Sequence, residues 1–191
     1  MQRLGLYGGA FDPIHLGHLL VAEAALEELE LDKLIFIPAL RSPFKQNNET
    51  APAELRLRWL RLALAGRVRY EIDEQEILRG GVSYTIDTAR HYAKQYPDAR
   101  LFYLVGADNV PKLNEWRNAD ELANLLEFAA VPRPGEAPPV FPKLFRGVTL
   151  KGFSLEISSR EIRARVKAGL PIQYLMPPFV AGAVLDSAVY H

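Results

Sequence analysis

The chain has 191 residues, 49% of them apolar, with 23 Lys and Arg against 23 Asp and Glu and no cysteine. That length suits one domain, taken as 1–191, with a core of useful size. Balanced charge argues against a general nucleic-acid binder, and absent thiols exclude disulfides, thiolate metal sites and a cysteine nucleophile.

Met1-Gln2-Arg3 leads into a strand-like stretch and not into a signal peptide. No apolar run approaches the ~18 residues of a membrane span. The expected location is therefore cytoplasmic, with no membrane partner. Residues 4–8 read as a short buried strand ending in a glycine turn. Residues 16–29 read as a helix, with Pro13 before it and Leu19, Ala22, Leu26 and Leu29 on its apolar face. Residues 33–37 form a second strand, stopped by Pro38, and 39–51 a loop. A helix over 53–65 starts near Pro52 and stops at Gly66. A third strand is expected at 68–72, then an interruption at Gly80-Gly81. A helix over 85–95 precedes an apolar strand at 100–105, which ends at Gly106-Ala107-Asp108. Next come a helix over 119–126, a strand at 128–131, a proline-rich loop over 132–147 and a last strand at 148–150. The C-terminal part, from about residue 158, is helical. One helix spans 158–167, with a capping-box pattern at Ser158 to Glu161 and Gly169 as its stop. One more helical region covers 172–189. Strands alternating with helices predict an α/β fold, a doubly wound parallel sheet with helices on both faces. Ligands of such sheets bind outside the carboxyl ends of the strands.

The segment Gly8-Gly9-Ala10-Phe11-Asp12-Pro13-Ile14-His15-Leu16-Gly17-His18 carries the strongest chemistry. Gly8 and Gly9 permit a sharp turn and close approach of a ligand to the backbone. The helix start that follows offers free N–H groups and partial positive charge, suited to phosphate. His15 and His18, three apart, point to one side of the first turn, and Gly17 between them leaves room for a bulky group. Imidazoles donate hydrogen bonds to phosphate oxygens. Donors on the leaving phosphates stabilise a nucleotidyl-transfer transition state. The same pair could instead be a cap and a buried hydrogen-bonding residue, or zinc ligands. The preceding glycines favour the phosphate reading, and no His-Glu-x-x-His pattern accompanies the pair. The segment is neither a Walker A nor a Gly-x-Gly-x-x-Gly loop, so a P-loop ATPase and a dehydrogenase lose support.

This segment resembles the His-x-Gly-His signature of the nucleotidyltransferase superfamily. Ile157-Ser158-Ser159-Arg160-Glu161-Ile162-Arg163 is similar to that superfamily's Ile-Ser-Ser-Thr-x-Ile-Arg stretch, with Arg160 at the usual Thr. Ser83-Tyr84-Thr85-Ile86-Asp87-Thr88, Gly106-Ala107-Asp108 with Trp116 downstream, and Val131-Pro132-Arg133-Pro134-Gly135 resemble bacterial nicotinate-mononucleotide adenylyltransferase. So does Ile37-Pro38-Ala39, before a loop reading Ser42-Pro43-Phe44-Lys45 where the family often has Pro-Pro-His-Lys. The resemblance implies a Rossmann-like fold and a reaction of ATP with nicotinate mononucleotide that gives deamido-NAD and pyrophosphate, with Mg²⁺ carried on the ATP phosphates. It implies catalytic roles for His15, His18 and Arg163. ATP would lie along Gly8 to Phe11, Gly106, Asp108 and the Ile157, Ser158 and Ser159 helix start. Lys45, Tyr84, Thr85, Trp116 and Arg133 would bind the mononucleotide, with the Trp116 indole stacking on its cationic ring. The alternatives are another acceptor (nicotinamide mononucleotide or phosphopantetheine) or a non-catalytic nucleotide-binding module. The sequence leaves a homo-oligomer open.

Overall fold

In the computed structural model, which describes residues 1–43, 50–132, 137–153 and 155–190, six strands form one sheet. They are β1 (Arg3–Gly9), β2 (Lys33–Pro38), β3 (Tyr70–Ile72), β4 (Arg100–Gly106), β5 (Glu127–Val131) and β6 (Gly147–Thr149). All five pairings are parallel, in the order β3-β2-β1-β4-β5-β6. This is the doubly wound Rossmann-like order, and its switch point lies between β1 and β4. Their carboxyl ends, Gly8-Gly9 and Gly106, therefore lie side by side.

Seven α-helices are described: α1 (Leu16–Glu28), α2 (Ala53–Leu64), α3 (Gln75–Arg79), α4 (Thr85–Gln95), α5 (Ala119–Leu125), α6 (Ser159–Lys167) and α7 (Pro178–Asp186). The strands are apolar nearly throughout because both sheet faces are covered. Alternate side chains feed two cores. Leu34, Phe36, Phe102 and Leu104 pack with α1, α2, α6 and α7 on one face. Leu4, Leu6, Ile35, Ile37, Tyr103 and Phe128 pack with α4 and α5 on the other. No helix among the described residues is long and apolar enough to cross a membrane.

The structure departs from the sequence expectation in four places. Helix α3 was not expected, because five residues show no resolvable helical period. A 3-10 helix, Ala107–Glu115, follows β4 and contains Pro111; tight turns with three residues per turn carry no amphipathic signature of the α type. The third strand starts at Tyr70, and Val68 is exposed. The region 172–189 is not one helix. Pro177 holds an extended conformation (ψ 140°) ahead of Pro178, so α7 can begin only there.

Candidate active site

The loop between β1 and α1 is built around Phe11, which takes a left-handed φ of 48°. A bulky residue holds that conformation only when its surroundings over-determine it. Phe11 is fully buried, with ring centroids 5.4 Å from Tyr7, 5.5 Å from Phe36 and 5.1 Å from His18. The loop therefore delivers α1's first turn to a fixed place at the end of β1.

His15 is the N-cap of α1, and the His15 and His18 rings lie 3.8 Å apart, tilted by 30°. The backbone N–H of His15 donates to His18 Nδ1 at 3.3 Å. An accepting Nδ1 leaves the proton of a neutral ring on Nε2, which makes that atom the donor. Burial pushes the His15 pKa down to about 4. Burial, and then the neighbouring His15, hold His18 well below its ordinary value. Near neutral pH both rings are uncharged donors.

The three glycines serve internal packing. A Cβ on Gly17 would meet the His15 ring at 3.0 Å and the Ile157 carbonyl at 3.4 Å. A Cβ on Gly9 would meet the Phe11 ring at 3.0 Å, and one on Gly8 would overlap the Tyr103 hydroxyl. A side chain at any of the three would therefore disturb the site's own residues.

The second helix start arrives from 140 residues further along the chain and joins the same loop. Ser158 caps α6, its hydroxyl accepting from the Glu161 N–H at 3.2 Å. Ser159 Oγ donates to the Pro13 carbonyl at 2.9 Å, and Arg163 Nη1 to the Asp12 carbonyl at 2.7 Å. Arg163 Nη1 also lies 3.5 Å from the Asp12 carboxylate. Ile162 and Val166, buried in the core, hold α6 in this position. Two N-termini, one with imidazoles and one with hydroxyls and a guanidinium, thus meet at one loop. Helix N-termini with such donors suit an anion.

The other half of the site lies at the ends of β4 and α4. A cavity of about 270 Å³ is lined by Pro43, Tyr84, Thr85, Glu115, Trp116, Arg117 and Leu122. Trp116 is held there because Val110 and Leu113 of the 3-10 helix are fully buried. Its ring stands edge-on to Tyr103 (6.0 Å) and Phe128 (6.2 Å). The Arg117 guanidinium lies 4.7 Å from the centre of the Tyr84 ring. Tyr103 links the halves, since its hydroxyl sits over Gly8 and lies 3.4 Å from Thr85 Oγ1. At the β4 end, the Asp108 carboxylate folds back over Gly106, 2.6 Å from where a Cβ would stand. Lys45 and Arg133 lie outside the described residues, as do Phe44 and His191.

Sequence reasoning missed three residues that shape the phosphate side. Arg56 is buried in α2; its Nε donates to the Ala51 carbonyl (3.0 Å), and its Nη1 to those of Ala10 and Ala39 (both 2.8 Å). It ties the loop after β1 to the end of β2. The available signal was its phase, one turn before Leu60 and two before Ala63 on the apolar stripe. Asp12 is buried, accepting from the Ala51 N–H at 3.0 Å and from the Tyr190 hydroxyl. Tyr190, 178 positions away in sequence, gave no signal at all.

The cytidylyltransferase-like family matches residues 6–165. A relative from Opitutus terrae, named a probable nicotinate-nucleotide adenylyltransferase, is 42% identical over 183 residues, 92% of this chain and 91% of that protein. One of the same name from Bacillus licheniformis is 38% identical over 193 residues, covering 100% and 99% of the two chains. The fold resembles that of Plasmodium falciparum nicotinic acid mononucleotide adenylyltransferase complexed with NaAD. The TM-score is 0.77 at 15% identity, over 100% of this chain and 98% of that one.

Proposed function

Because the chain belongs to the cytidylyltransferase-like family and, within it, to the nicotinate-nucleotide adenylyltransferases, we propose that this cleft joins ATP to nicotinate mononucleotide, giving deamido-NAD and pyrophosphate. The observation that carries the reading is the meeting of α1 and α6 at the Asp12-Pro13 backbone. A triphosphate laid along that seam would be held by His15 and His18 on one side and by Ser158, Ser159 and Arg163 on the other. The adenosine would lie over Gly8 to Phe11 and toward Gly106, with Asp108 at its ribose.

The mononucleotide's 5′-phosphate oxygen attacks the α-phosphorus in line. A new P–O bond forms, the bond to the bridging oxygen breaks, and pyrophosphate leaves with its charge. Phosphate is nucleophilic without a base, so positioning and charge stabilisation carry the catalysis. His18 Nε2–H donates to the phosphate oxygens where charge develops, and Arg163 neutralises the leaving group. In the acceptor cavity the Trp116 indole faces the cationic pyridinium. The amides of Tyr84 and Thr85, at the start of α4, receive its carboxylate. By family resemblance, Lys45 approaches the mononucleotide phosphate and Arg133 belongs to the same binding set.

No cluster of three or more His, Asp or Glu among the described residues could hold a metal ion. Asp12, the carboxylate nearest the seam, is committed to Arg163, Ala51 and Tyr190. The His, Ser and Arg donors suit phosphate oxygens, and we propose that a divalent cation, Mg²⁺, enters with ATP as part of the substrate. We place the reaction in the cytoplasm, which suits a chain without cysteine.

Pyrophosphate release with ATP tests the reading. Nicotinate mononucleotide, nicotinamide mononucleotide and phosphopantetheine are supplied in parallel. Release with the first, well above the other two, is expected. ATP binding without turnover for any acceptor would replace the enzyme by a nucleotide-binding module.

A further inference from the structure

Bonded to α4, whose first residue lines the acceptor cavity, is a buried carboxylate that the chemistry above does not use. Glu76, in α3, is 4% exposed. A carboxylate is retained at such a site only where donors satisfy it. Its donors are two hydroxyls. Thr88 Oγ1 donates to Glu76 Oε1 at 2.6 Å, and Ser83 is its second hydrogen-bond partner.

Ser83 is the joint of the cavity. Its oxygen accepts from the Leu40 N–H at 3.0 Å, and its own N–H donates to the Arg41 carbonyl at 2.9 Å. An ionised carboxylate can only accept, so the Ser83 hydroxyl directs its proton to Glu76 while its oxygen accepts from Leu40. Leu40 and Arg41 belong to the segment that continues to Pro43, one wall of the cavity, while Ser83 immediately precedes Tyr84 and Thr85, the facing wall. Thr88, one turn into α4, reaches the same carboxylate from the helix itself. The relay Leu40 N–H to Ser83 to Glu76, closed by Thr88, fixes the spacing between the two walls.

We propose that Glu76 is a positioning residue for the mononucleotide. Through Ser83 and Thr88 it sets where the Tyr84 and Thr85 amides stand relative to the Pro43 wall. This rests on reading the cavity as the acceptor site. Glutamine fills the same volume but presents one carbonyl oxygen and an NH₂ donor, so it cannot accept from both hydroxyls in the native arrangement.

The test is steady-state pyrophosphate release by the full chain carrying Glu76→Gln, Ser83→Ala or both. Each single substitution is expected to raise KM for nicotinate mononucleotide about tenfold, the effect of one disrupted buried hydrogen bond. KM for ATP should stay within about twofold, and the double variant should be no worse than the poorer single one, because both cut the same link. Unchanged KM values, equal rises for both substrates, or effects that multiply in the double variant would each overturn the proposal. If Glu76→Gln does not fold, Thr88→Val decides in its place, since it removes a donor to Glu76 and leaves the Leu40–Ser83 bond intact. An active wild-type chain with indifferent variants overturns only the role of Glu76. A wild-type chain that turns over no mononucleotide overturns the acceptor reading with it.

Discussion

The two ends of the cleft, proposed to hold the phosphates and the acceptor, are built from different materials. At the phosphate end, charge and backbone are locked together. Asp12, Arg56 and Arg163 bind loop carbonyls, an amide or one another, and two imidazole rings lie 3.8 Å apart at the start of α1. At the acceptor end, the wall is an indole held by aromatic edges, with a short hydrogen-bonded relay behind it. The contrast matches the tasks. A polyphosphate needs donors that do not reorganise as charge develops. A flat cationic ring needs an aromatic face and a measured gap.

Acid should separate the two ends most strongly. The folded pKa of His15, about 4, lies below its ordinary 6.5. Between those values the unfolded chain binds a proton that the folded chain refuses, so stability falls as pH drops through this window and levels off below it. The loss is on the order of 3 kcal/mol. Chemical denaturation from pH 7 to 4 should show a steeper loss in the wild type than in His15→Gln, and equal slopes would contradict the buried imidazole. Glu76 runs the opposite way. Burial raises its pKa, so above its ordinary value the unfolded chain releases a proton that the folded chain keeps. Stability then declines as pH rises toward the folded value, and Glu76→Gln should flatten that side of the profile.

Next in size is His18→Ala, expected to lower kcat by at least ~100-fold, a loss typical of a missing transition-state donor. The circular dichroism spectrum should not change. Full activity in that variant would remove the imidazole from the chemistry. Trp116→Ala works on the other end and should raise KM for the mononucleotide roughly three- to thirtyfold, leaving KM for ATP nearly constant. Equal changes for both substrates would argue against stacking. The smallest effect is expected from Gly17→Ala. Its methyl group presses on the His15 ring at 3.0 Å, so kcat should fall about threefold, with a stability loss near ~1 kcal/mol. A neutral result would show that the ring can yield.

Much of the phosphate end was legible because its parts are local. Two glycines, a helix start and histidines three apart lie within eleven residues, and Ser158 with Glu161 announces its own cap. The acceptor end was legible only as far as family resemblance carried Tyr84, Thr85 and Trp116. The relay behind them joins positions 40, 76, 83 and 88, and no pattern within one element marks such a set.

The amino-acid sequence by itself determined the alternation of strands and helices, the two helix starts and the candidate phosphate ligands, because each depends on periodicity or spacing within a few turns of chain. Tertiary structure decided what those residues face. It brought α6 onto Pro13, turned the glycines toward their own neighbours, buried Arg56 and Glu76, and placed Tyr190 against Asp12. These are contacts between residues up to 178 positions apart. They arise when the sheet closes its two cores, and local chemistry carries no record of which distant side chain arrives.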